Sequence, residues 1–244
     1  SIQIIAVCAC AGIIVGVISL TGVGARFSAL LLDLAGVSQL LALFFAMCIA
    51  ILLGMGMPTT AAYAVAASVV APGLVQLGIP TLTAHFFVFY YAVLSAITPP
   101  VALGAFAAAS MAGANAFKTG FEAMKLGGVI YVVPFFFVLN PALIGQGAPT
   151  EVAFVLLCAL VGVWFISSAL QGYVSFVGPL HSSMISLLMR FVLFFAGLMV
   201  AAPVGGVAGL NHTVLTLSGL VVAILPFLLA WRAGRAADLE RSIA

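Results

Sequence analysis

Two stretches decide how this chain is read: Gly54-Met55-Gly56-Met57-Pro58-Thr59-Thr60 and Ser95-Ala96-Ile97-Thr98-Pro99-Pro100. Each interrupts a long apolar run with residues that helices avoid. Glycine costs a helix interior about 1 kcal/mol relative to alanine and proline about 3, the latter because it lacks an N–H and its ring strikes the preceding turn. Lipid offers no water to the freed backbone groups, so such a break survives only where it faces protein, a cavity or an ion. Two breaks in succession therefore point to something polar being handled at mid-membrane.

Composition places the chain in lipid. Of 244 residues, 66% are hydrophobic and 5% charged, and the mean hydropathy is +1.40, whereas soluble domains carry about 25% charged residues. No formal charge falls between Asp33 and Lys118 or between Glu151 and Arg190. Each interval has room for more than one span of about 20 residues. The net charge is only +2 and the basic residues form no stripe, which argues against a nucleic-acid partner. Cys8, Cys10, Cys48 and Cys158 sit in apolar runs, without the spacing or neighbouring histidines of a zinc site, and read as small buried hydrophobes. The start has no initiator Met and no basic region before its first apolar run, so a piece of a longer or split chain is expected.

Along the chain, Ile2 to Val23 is a predicted span, and Arg26 and Asp33 flank a short amphipathic piece, Phe27 to Ala35. Gln39 to Leu53 and Ala61 to Leu77 flank the first break. Each limb is about 15–17 residues, or roughly 24 Å of helix, short of the ~30 Å hydrocarbon core. A re-entrant hairpin is predicted, although two ordinary crossings joined by a Gly-Pro turn fit the same periodicity. Leu82 to Ala96 and Val101 to Ala112 form a helix broken at the tandem proline. That proline pair drives Thr98 out of the α region and leaves carbonyls near Ser95, Ala96 and Ile97 without helical partners. Asn115 to Lys125 reads as an interfacial helix and Leu126 to Ile144 as a full span despite Pro134. Three more apolar segments follow at Val152 to Leu170, Met184 to Ala202 and Thr213 to Trp231. The predicted fold class is all-α integral membrane, a polytopic helical transporter. Lys118, Lys125 and the Arg-rich tail go to the cytoplasm by the positive-inside rule, which leaves Arg26 outside. Arg190 lies inside a span and is placed to snorkel to the cytoplasmic interface.

No catalytic constellation emerges. His85, His181 and His212 are scattered; the plainer reading of His85 is an imidazole satisfied by its helical neighbours. The central region has no acidic residue for metal or acid–base work. It does have oxygen: the hydroxyls of Thr59, Thr60, Ser68, Ser95, Thr98 and Ser110, and the carbonyls of the breaks. Neutral oxygens of unwound helices suit sodium, and helices restarting after a break aim N–H groups at a cavity, which suits an anion. Each break also has a plain reading, Gly-x-Gly as a packing device and proline as a kink.

Taken in order, Gly54-Met55-Gly56-Met57-Pro58-Thr59-Thr60-Ala61-Ala62-Tyr63, Ile97-Thr98-Pro99-Pro100-Val101-Ala102, Lys118-Thr119-Gly120-Phe121-Glu122-Ala123 and Val133-Pro134-Phe135 with Asn140-Pro141-Ala142-Leu143 carry a resemblance. The combination is similar to the large membrane subunit of tripartite ATP-independent periplasmic (TRAP) transporters, most of all the fused-permease subtype that works with TAXI-type substrate-binding proteins. It covers about Ile2 to Ile144. Glu151 to Ala244 resembles the extra C-terminal membrane region of some fused permeases and holds no motif with a function attached.

The resemblance implies a sodium-coupled importer of the elevator type, in which two hairpins and two broken helices, related by an inverted repeat, slide against a scaffold. This chain resembles the second repeat. On that basis residues 1–36 are a scaffold span and connecting helix, and 37–112 are transport-domain elements, with the hairpin at 39–77 and the broken helix at 82–112. Residues 113–144 are the interfacial helix and following span, and 145–244 the extra region with three spans and a cytoplasmic tail. The implied setting is the bacterial inner membrane, crossed several times. The implied partners are a TAXI-type periplasmic binding protein, a small membrane subunit or its fused equivalent, the first repeat upstream, and membrane lipid. The cargo would be a small organic anion such as a carboxylate, with sodium as coupling ion and no cofactor. Gly54, Gly56, Pro58, Thr59, Thr60 and Tyr63 are the substrate-binding candidates; Ser95, Ile97, Thr98 and Pro99, with Thr59, are the sodium candidates. An ion channel or passive pore could use the same carbonyls, and an intramembrane enzyme is the remaining class.

Overall fold

The computed structural model describes residues 2–175, 178–180, 184–201 and 212–243. These residues form an all-α, multi-pass membrane protein that divides into two compact units at Met124/Lys125. The sole strands among them are a two-residue antiparallel pair, Tyr173–Val174 with Gly178–Pro179. His181, one of the three scattered histidines, lies outside the described residues.

In the first unit, α1 (Ile2–Thr21) and α2 (Val23–Val37) meet at Gly22, whose φ of 69° is left-handed. A side chain resists that conformation and glycine does not. The result is an elbow of 67° between Ala9–Thr21 and Val23–Val37. Next come α3 (Gln39–Gly54), α4 (Thr59–Gln76), α5 (Thr81–Leu94), α6 (Leu103–Ala112) and α7 (Ala116–Leu126), the last running across the division.

The centre of this unit is α4, which packs against α1, α2, α3 and α5. Its buried face is made largely of Ala61, Ala62, Val65, Ala66, Val69 and Val70. Between helices in lipid, hydrophobicity supplies little drive, so close approach by small residues does the holding. Two glycines mark the tightest approaches: a Cβ on Gly73 would meet Leu31 and Ser28 of α2 at 2.9 and 3.2 Å, and one on Gly54 would meet Ala92 of α5 at 2.8 Å.

The second unit begins irregularly. Leu126 to Ile144, expected as one span, is not one continuous helix: it holds a 3-10 turn at Gly128–Tyr131, the seven-residue α8 (Val133–Leu139) and a second 3-10 turn at Pro141–Ile144. Gly127 and Gly128 weaken the start, Pro134 and Pro141 lack N–H groups, and the Asn140 side chain accepts from the Ala142 N–H, supplanting a helical bond. Beyond lie α9 (Pro149–Gln171), α10 (Met184–Ala201) and α11 (His212–Ile243). They are drawn together at Gly162, Gly197 and Gly219, where an added Cβ would fall 2.6 to 2.8 Å from Ala201, Ile166 and Val200 respectively.

Among the described residues, Thr59–Gln76, Pro149–Gln171 and Val214–Trp231 are long and apolar enough to cross a membrane, whereas α3, α5 and α6 are shorter. The limbs around the first break are therefore unequal, with 16 residues in α3 and 18 in α4.

Candidate functional site

The first break runs from the end of α3 to the start of α4. Met55 leaves the helix with ψ of 130°, Gly56 turns with φ of 78°, and Pro58 leads into α4 from extended backbone. Pro58 has no side-chain oxygen, and no side chain caps α4. The first N–H groups of this helix, at Thr59, Thr60 and Ala61, stay available at the positive end of its dipole. Gly56, Pro58, Thr59 and Thr60 are exposed in this chain, and Gly54 is buried.

The second break is wider than its prolines. Helix α5 ends at Leu94, tight turns carry the chain on through N–H bonds from Ala96, Ile97 and Thr98 to Val93, Leu94 and Ser95, and α6 restarts only at Leu103. The Pro99–Pro100 bond is cis, and buried Ala102 takes a left-handed φ of 32°. The Gly104 N–H reaches back to the Ala96 carbonyl at 2.9 Å and closes the loop.

These bonds sort the three carbonyls expected to be open. That of Ser95 accepts from Thr98 and that of Ala96 from Gly104, whereas those of Ile97, Pro99, Pro100 and Val101 accept no hydrogen bond among the described residues. Thr98, also buried, donates its hydroxyl to the Leu94 carbonyl at 2.7 Å.

One side chain joins the two breaks. The Ser95 Oγ lies 2.9 Å from the Gly54 carbonyl oxygen and 2.7 Å from that of Ala92, sharing its single proton between them. Gly54 is the last residue of α3, whose carbonyl has no helical donor, so Ser95 supplies what the broken helix lacks. A Cβ on Gly56 would lie 4.0 Å from Val101, so the glycine turn also faces the second loop.

Among the remaining candidates, Tyr63 sits one turn into α4 from Thr59, and its hydroxyl pairs with Nδ1 of His85 on α5 at 2.8 Å. Its ring also stands edge-on to Phe89, with centroids 5.6 Å apart. His85 is thus satisfied by a neighbouring helix, in keeping with the plainer reading of it. The structure brings Gly54, Gly56, Ser95 and the Ile97–Val101 loop together, and ties Tyr63 to α5 further along.

Residues 1–152 match the family model described as tripartite ATP-independent periplasmic transporter, DctM component. The chain belongs to the DctM family. A search of curated proteins and a search of solved structures found no match. DctM proteins are TRAP transporter permeases, so the paired breaks belong to a secondary transporter family and not to a family of enzymes. Both breaks lie within the part matched to DctM, and α10 and α11 lie beyond it.

That portion contains the polar contact least expected from the sequence. Arg190 of α10 reaches the end of α9: its Nε donates to the Ala169 carbonyl at 2.8 Å and its Nη2 to that of Leu170 at 2.7 Å. These are orphan carbonyls at the end of α9, and the guanidinium also offsets the negative end of the helix dipole. Gly172, left-handed at φ 69°, leaves the room this requires, since a Cβ there would lie 3.1 Å from the guanidinium carbon. The spacing of Arg190 from the end of an apolar run followed by Gly172 was the available signal.

Proposed function

We propose that this chain is the second-repeat half of a TRAP permease that imports a small organic anion, a carboxylate, in symport with sodium. The observation that carries the reading is the Ser95 bond to Gly54, which fastens two interruptions of opposite chemistry to each other. On one side are the uncapped N–H groups that begin α4. On the other are the open carbonyls of Ile97 and Pro99, with the buried Thr98 between them.

The division of labour follows from charge. Aligned N–H groups at a helix start favour a carboxylate, and Gly54, Gly56, Pro58, Thr59 and Thr60 form the tip that would approach it, with Tyr63 alongside. Converging neutral oxygens favour a cation stripped of water, and Ser95, Ile97, Thr98 and Pro99, joined by Thr59, would hold sodium. Each ion lowers the desolvation cost of its neighbour, which links the two thermodynamically. Residues 39–77 act as the hairpin and 82–112 as the broken helix of an elevator, with 1–36 and 113–144 serving the scaffold and interface and 145–244 the added region. A TAXI-type binding protein delivers the cargo to the inner membrane, and an upstream inverted repeat and small subunit complete the cavity.

The test is uptake of labelled organic acids by the complete permease reconstituted in liposomes. Concentrative uptake is expected only with an inward sodium gradient and the cognate binding protein present. Downhill flux that ignores both would overturn the reading in favour of a pore.

A further inference from the structure

A second polar pocket in the first unit lies at the elbow between α1 and α2. It encloses about 310 Å³ and is walled by Ser19 and Gly22 at the elbow, Gly24 and Ser28 of α2, and Ser68 and Gln76 of α4. Its chemistry is lopsided. The Ser19 hydroxyl donates to Val15 at 2.9 Å and that of Ser68 to Val65 at 2.8 Å, so both have spent their protons inside their own helices and keep only lone pairs for the pocket.

Two further oxygens join them. Pro72 sits within α4 four residues after Ser68, and a proline there has no N–H for the Ser68 carbonyl. That carbonyl is directed at α2, where a Cβ on Gly24 would come within 3.5 Å of it. Ser28 is 4% exposed and lines the pocket, yet its hydroxyl has no hydrogen-bond partner among the described residues. The pocket also adjoins the C-terminal end of α1, where the dipole is negative. Arg26 and Asp33, the charged residues of α2, are both exposed and neither lines it.

We propose that this pocket binds a monovalent alkali cation, held by the Ser68 carbonyl and the hydroxyls of Ser19, Ser28 and Ser68. The Ser28 hydroxyl can turn its proton away and the Gln76 amide can present its oxygen, so the lining can offer acceptor oxygens to a positive occupant, and neutral carbonyl and hydroxyl oxygens suit a single charge. A divalent ion would find no carboxylate to offset its desolvation. The bound ion links the elbow to α4, at a place separate from the two breaks.

Equilibrium binding of radioactive sodium and rubidium to the purified full-length protein in nanodiscs tests this. Ser28→Ala removes a hydroxyl that makes no bond within the fold, and Ser19→Ala alters an exposed position, so the packing of both is retained. Loss of one cation per chain in either variant, or binding weakened at least about tenfold, with that cation retained in Thr98→Val, is the expected result. Parental stoichiometry and affinity in both serine variants would show that the pocket holds only water and overturn the proposal. Loss of the same cation in Thr98→Val would place it at the breaks and overturn it equally.

Discussion

The Ser95 hydroxyl and the Gly54 carbonyl oxygen meet at 2.9 Å although 41 residues separate them in sequence. Each is at the point where a helix stops, so a single bond converts two local defects into one joint. Because Ser95 is 5% exposed, water cannot replace it. A buried carbonyl deprived of its donor costs about 1–3 kcal/mol.

Gly54→Ala is expected to break this joint by force. Its Cβ would stand 2.8 Å from the Ala92 carbonyl and 3.0 Å from Ser95 Oγ, and two backbones must separate to admit it. Overpacking of this kind costs about 1–3 kcal/mol. Thermal unfolding in nanodiscs should show the loss, and uptake should fall further than the residual folded fraction explains. A variant as stable and active as the parent would contradict the close approach.

Thr98→Val replaces the buried hydroxyl that bonds the Leu94 carbonyl with a methyl of similar size while the loop keeps its backbone bonds. If Thr98 helps to hold sodium, the sodium concentration for half-maximal uptake rises about tenfold or more, equivalent to about 1.4 kcal/mol. Unchanged sodium dependence would remove Thr98 from the site.

Tyr63→Phe deletes the bond to His85 but retains the edge-on contact with Phe89. Both partners are only half-buried, so water can take over and the stability change should stay below about 1 kcal/mol. A substrate role predicts a several-fold rise in KM with nearly constant Tm. Constant KM would reduce Tyr63 to packing.

Arg190→Lys keeps the charge but loses the fork, because an ammonium cannot span the Ala169 and Leu170 carbonyls in that planar geometry. A loss of about 1–3 kcal/mol is expected, along with faster amide exchange in the last turn of α9. Protection equal to the parent's would show that the cap contributes nothing.

Much of this architecture was legible because apolar runs and their Gly/Pro punctuation are local signals. Val152 to Leu170 became Pro149–Gln171, and Met184 to Ala202 became Met184–Ala201. The interruptions within Leu126 to Ile144 were not legible because averaged hydropathy is blind to Gly127, Gly128, Asn140 and Pro141, which divide its helix. The full width of the second break was hidden for another reason: it ends at Ala102, and nothing about an alanine announces a left-handed backbone. Within the site, residue types at each break could be named in advance, but pairings such as Gly54 with Ser95 and Tyr63 with His85 arise only when helices meet. Pro72 passed unnoticed inside an apolar limb, since its effect falls on the carbonyl of Ser68 and not on its own surroundings.

The contacts at Gly162, Gly197 and Gly219 also determine how α9, α10 and α11 can be aligned. Sliding α9 by one residue brings Val161 or Val163 to the spot where only a hydrogen atom fits, and the same shift in α10 brings Ala196 or Leu198. Neighbouring registers are therefore closed, and the three helices fit one another at a single depth, like a key with one cut.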